Sequence, residues 1–110
     1  MATFDEREKG FEAKFRADQE LQFKVTARRN KLLGLWAAGR MGLAGTAAES
    51  YAKQVVEADF QKPGDDDVVD KVLGDLKAKG VAADAASVRR ELDRLAATAK
   101  EQIMTETTKG

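Results

Sequence analysis

Three stretches of this sequence carry the residues that stop a helix: "RMGLAG", "QKPG" and "AKGV". They divide the chain into four segments of apolar periodicity. Gly42 and Gly80 can take the left-handed conformation that closes a helix, with Leu43 and Val81 folding back on the last turn. Pro63 ends the segment before it, because the residue preceding a proline is pushed out of helical geometry. No segment alternates β-branched and polar residues with a period of two, so no strand is expected. Connections this short favour antiparallel neighbours. The sequence therefore reads as all-α: an antiparallel four-helix bundle with an extended or mobile N-terminal helical arm.

The helix starts have their own chemistry. Thr3 with Glu6, and Thr46 with Glu49, read as capping boxes, in which a hydroxyl and a carboxylate each take a free backbone amide. Asp65, Asp66 and Asp67 open the third helix, where carboxylates cap amides and complement the helix dipole. Three consecutive side chains fan around a helix, so they do not make a metal site. The fourth helix begins near Asp84. Expected bounds are about 21–42, 47–62, 66–79 and 85–104 for the bundle helices, with residues 105–110 frayed. The second helix sets Tyr51, Ala52, Val55, Val56 and Phe60 on one side, and the third sets Val69, Val72, Leu73 and Leu76. Ala85, Val88, Leu92, Leu95, Ala99 and Ile103 form the seam of the fourth. "ARRNKLLGLWAAGRMG" supplies the bulk of the first, with Trp36 as the expected centre of the core. Arg28, Arg29 and Lys31 form a solvated shoulder beside it.

The first helical pattern is too long for the others. Helices two to four have about 14 to 20 residues, or roughly 21–30 Å, whereas Thr3 to Met41 would make nearly 60 Å. Its composition also changes along its length. From Leu21 onward it is densely apolar, but residues 4–20 carry only Phe4, Phe11 and Phe15 as large apolar side chains, spaced by seven and four in a charged background. Gly10 weakens the middle of this stretch by roughly 1 kcal/mol relative to alanine. Two readings follow. The phenylalanine stripe packs against the bundle, or it is a detachable arm that offers its aromatic face to a partner groove.

Composition narrows the function. The 110 residues hold no cysteine and no histidine, which removes disulfides, zinc sites on thiolate or imidazole, and nucleophile–histidine dyads. An enzyme is not expected. Lysine plus arginine and aspartate plus glutamate balance at 19 each, against the basic excess typical of nucleic-acid binding. The start "MATFDEREKG" lacks the apolar core of a signal peptide, and "LLGLWAA" falls far short of the roughly 20 residues of a membrane span. A cytoplasmic protein without direct membrane insertion is expected.

"FDERE" and "FEAKF", then "ARRNKLLGLWAA", then "YAKQVVEADF" resemble the zeta subunit family of alphaproteobacterial F-type ATP synthases, long catalogued as a family of unknown function. The resemblance spans nearly the whole chain. It implies an ATPase inhibitor, monomeric when free and peripheral to the inner membrane through the synthase. Its N-terminal segment would enter the catalytic head between alpha and beta subunits near gamma and block rotation in the hydrolytic direction. On this chain the segment is roughly residues 1–19, with Phe4, Glu6, Arg7, Phe11, Lys14 and Phe15 as partner contacts. The resemblance also implies weak binding of ATP or ADP by the body. No phosphate loop supports that, since "GDLKAKG" lacks the glycine–lysine–hydroxyl ending. The alternatives are a small regulatory or adaptor bundle acting on another partner, and a weak adenine-nucleotide sensor.

Overall fold

A computed structural model describes the backbone of residues 2–109 and the side chains of residues 19–106. Four helices follow in order: α1 (Ala2–Arg40), α2 (Gly45–Gln61), α3 (Asp65–Ala78) and α4 (Ala85–Lys109). No strand occurs among the described residues. The backbone runs from Ala2 to Arg40 as one helix, with no break at the expected junction of arm and bundle. Helix α4 continues to Lys109, past the expected end at 104.

The two glycine stops work as their sequence implies. Leu43 N–H donates to the Ala38 carbonyl at 2.8 Å and Gly42 N–H to the Gly39 carbonyl at 3.2 Å. Val81 N–H and Gly80 N–H repeat the pattern on Leu76 and Lys77, both at 2.9 Å. These paired bonds are the Schellman closure, which needs positive φ at its glycine. Gly42 has φ 80° and Gly80 has φ 76°. Leu43 and Val81 then pack on the core, so each stop also turns the chain inward.

Contacts along the helices give their directions. Phe23 meets Phe60, Asn30 meets Asp59 and Gly34 meets Ala52, so α2 runs antiparallel to α1. Tyr51 pairs with Asp75 and Lys62 with Asp67, which reverses direction again for α3. Leu33, Val55, Val72, Leu76, Val88 and Leu92 fill the centre, each 0–1% exposed. Burying side chains of this kind contributes roughly 1.5–3 kcal/mol apiece. The expected seams of α3 and α4 are otherwise recovered, with Val68 added to the first and Ala85 left exposed at the start of the second.

Trp36 is not the centre. It is half-buried at the margin of the core, with the Arg40 guanidinium 5.5 Å from its ring centroid. The reason lies in its neighbours. Gly34, Ala37 and Ala38 turn toward the other helices, and these small residues bring the backbones too close together for an indole to lie between them.

Two expected caps are also replaced. Helix α2 starts at Gly45, with φ 56°, behind an extended Ala44, and no side chain caps it. Thr46 is already inside the helix, so its hydroxyl cannot serve the cap position, and the box with Glu49 does not form. At α3 the cap residue is Gly64, again without a side-chain bond. Asp65, Asp66 and Asp67 still complement the dipole, but their oxygens pair with Arg29, Arg89 and Lys62. Thr3 and Glu6 lie outside the described side chains. The box that does form is Asp84 with Ser87: the Ser87 amide donates to Asp84 Oδ1 at 2.7 Å, and the Asp84 amide donates to Ser87 Oγ at 3.2 Å.

Candidate interaction site

Phe4, Glu6, Arg7, Phe11, Lys14 and Phe15 all fall on α1, within Ala2–Arg40, and lie outside the residues whose side chains are described. What the structure describes is the base from which that segment springs. On that base Arg29 and Leu33 are among the inward-facing residues of α1, 9% and 0% exposed.

Arg29 therefore does not stand on a solvated shoulder. Its Nε and Nη2 donate to Asn30 Oδ1 at 3.1 and 3.0 Å, and its Nη1 donates to Asp65 Oδ1 at 3.0 Å. Asn30 Nδ2 in turn donates to Asp59 Oδ2 at 2.8 Å, and Asp59 Oδ1 accepts the Gly64 amide at 3.2 Å. Five groups from α1, α2, the α2–α3 connection and the start of α3 thus satisfy one another. Among the described residues no buried side-chain nitrogen or oxygen lacks a partner. A buried guanidinium is tolerable only in such a closed network, because an unpaired charge there would cost several kcal/mol.

Arg28 is likewise engaged. Its two terminal nitrogens donate to Gln102 and to Glu106, each at 2.8 Å, which ties α1 to α4. Of the three basic residues only Lys31 is exposed, at the edge of an open hollow that also holds Thr46, Glu49, Ser50 and Lys53. The charge-rich appearance of "ARRNK" thus conceals two structural ties.

At the opposite end of the α1–α2 pair, Tyr51 donates its hydroxyl to Asp75 Oδ2 at 2.7 Å, and Lys71 reaches both this carboxylate and the ring. Burial, the bond to Asp75 and the Asp75 charge push the Tyr51 phenol well above its ordinary range. A phenol so held clasps α2 to α3.

One surface feature departs from the sequence reading. Phe60, expected on the packed side of α2, and Phe23, in the densely apolar stretch that begins at Leu21, are each 55% exposed and touch each other, with ring centroids 5.2 Å apart. They flank a concavity of about 190 Å³ that also takes in Thr26, Ala27, Val56 and Pro63, with Asn30 and Asp59 at its floor. The signal for Phe60 was available. A step of five residues from Val55 turns it about 140° around the helix, off the buried face. No group of three or more acidic, cysteine or histidine side chains placed to hold a metal ion occurs among the described residues. No helix among them is long and apolar enough to cross a membrane.

Among known families, the model for the ATPase inhibitor subunit zeta matches residues 1–102, which takes in the N-terminal segment and the bundle together. The chain belongs to the zeta family of ATPase inhibitor subunits. Among solved structures, one determined by solution NMR is 50% identical to it, with a TM-score of 0.69, and covers 78% of this chain and 98% of its own length. No curated protein matches the chain.

Proposed function

We propose that the protein inhibits ATP hydrolysis by the F-type ATP synthase, and that it does so by inserting residues 1–20 into the catalytic head as a wedge against rotation. The observation that carries this reading is the length of α1. It has 39 residues against 17 in α2 and 25 in α4. At 1.5 Å per residue these are about 58, 26 and 38 Å, so neither neighbour can run beside the whole of α1. The family match beginning at residue 1 supports a functional role for that extra length.

A wedge needs no nucleophile, metal or general base, which suits a chain with no histidine or cysteine. It needs a stiff shaft and an adhesive face. Arg29 and Arg28 fix the shaft to α2, α3 and α4, so force on the arm is transmitted to the body and does not unwind the junction. Phe4, Phe11 and Phe15 provide the adhesive face. Burying the three would contribute about 4.5–9 kcal/mol. Ordering a free arm costs roughly 1–2 kcal/mol per residue, so charge pairs from Glu6, Arg7 and Lys14 and new backbone hydrogen bonds must also contribute.

The test is hydrolysis by the cognate synthase with the protein added. Inhibition is expected, together with its loss when Phe4, Phe11 and Phe15 are all changed to alanine, and with little change in the melting temperature of the body. Unfolding of the triple variant would place the stripe in the core and end the arm hypothesis.

A further inference from the structure

We infer that the Phe23–Phe60 patch is a second docking surface, which seats a large apolar side chain of the same ATPase that receives the arm. The inference rests on the inhibitory reading above. It adds to that reading a contact made by the body, where the wedge model uses the body only as an anchor.

Position argues for a shared partner. Phe23 stands on α1 eight residues beyond Phe15, about 12 Å along the same helix, so whatever grips the arm is held beside it. Phe60 and Pro63, which close α2, lie beside Phe23 at the end of the bundle nearest the arm, so a partner that grips α1 before residue 20 meets this end of the bundle first.

Chemistry argues for an apolar occupant. Two of the concavity's polar lining residues are already paired: Asn30 with Asp59 at 2.8 Å, and Asp59 with the Gly64 amide at 3.2 Å. They ask nothing of a ligand. The two half-exposed rings offer unburied apolar area and edges suited to another ring or a branched aliphatic chain. At about 190 Å³ the space admits one large side chain and excludes a helix. The intended contact is thus an anchor residue in a shallow pocket, the usual form of an interface hot spot.

Phe60 is the decisive position, since it sits on α2 and not on the helix that carries the arm. In the full-length chain, Phe60→Ala should raise the concentration for half-inhibition of the cognate ATP synthase roughly tenfold, and Phe60→Leu should recover most of the loss. A benzophenone-bearing phenylalanine at position 60, illuminated in the inhibited complex, should join to an ATPase subunit. This second experiment decides the matter even if Phe60→Ala folds poorly, because the ring is retained. Undiminished inhibition by a folded Phe60→Ala, or a crosslink formed only to the chain's own arm or to a second copy, overturns the docking surface and leaves the wedge standing. Failure of the unaltered chain to inhibit overturns both.

Discussion

Gly34→Ala offers a sharp test of how the bundle is assembled. In an unobstructed helix interior this change stabilises by about 0.8–1 kcal/mol, through reduced backbone freedom in the unfolded chain. At Gly34 the added methyl would stand 2.5 Å from the Ala52 Cα, 3.1 Å from its Cβ and 3.3 Å from Val55 Cγ2. The first of these is backbone, which no rotamer change can move aside. Helices α1 and α2 would have to part by roughly 1 Å, loosening Leu33 and Val55 in a close-packed interior. Overpacking of this kind costs about 1–3 kcal/mol, and an immovable neighbour places it in the upper half. The net expectation is destabilisation by about 1–2 kcal/mol. Gly74→Ala is the matched control, since nothing lies within 4 Å of its added methyl. It should stabilise by about 0.5–1 kcal/mol. Urea unfolding followed by the fluorescence of Trp36, the chain's only tryptophan, reads both. If Gly34→Ala matches or exceeds the stability of the unaltered chain alongside Gly74→Ala, close helix approach is not what displaces Trp36 from the core.

Other expectations bear on the polar ties. Arg29→Met should cost about 3 kcal/mol, because it leaves Asp59 in the interior without its cation, and the urea midpoint measures it. Tyr51→Phe should cost about 0.5–1.5 kcal/mol in the same assay, the net worth of its bond to Asp75, since Lys71 still serves that carboxylate. The Ser87 amide, the Ser87 hydroxyl and nearby cations hold the Asp84 carboxyl below its ordinary value. A folded-state value that is depressed gives stability present above the unfolded pKa of 3.8 and lost as pH falls through the folded one. Asp84→Asn should therefore flatten the acid limb of the melting curve below about pH 4, and an unchanged limb would count against the cap. Leu33→Ala, at 0% exposure, should cost about 2–5 kcal/mol in the urea midpoint.

Local chemistry made the helix count and two of the three stops legible in detail. Gly42–Leu43 and Gly80–Val81 close their helices by bonds within five residues, so no distant partner was needed to foresee them. The seam of α4 was legible for a similar reason, because its buried positions keep the spacing of three and four. Local chemistry was not enough at the helix starts. A capping motif shows that a start is possible, but which residue begins the helix depends on how the preceding turn enters it, as Gly45 and Gly64 do here.

The sequence alone determined that this chain is four helices and that its first is much longer than the rest, because composition, periodicity and stop signals act within a few residues. Only the tertiary structure decided which apolar and charged residues go inside. Trp36 belongs to an apolar run, yet the close approach of α1 and α2 at Gly34 and Ala52, with Ala37 and Ala38 also buried, puts small residues inside and leaves the indole at the margin, while Phe60 lies off the buried face of α2. Arg29 sits in a basic run, yet Asp59 and Asp65 converge on it and on neighbouring Asn30 from distant positions and make its burial tolerable. Charge and hydrophobicity are properties of a residue, but burial depends on what the other helices bring to meet it.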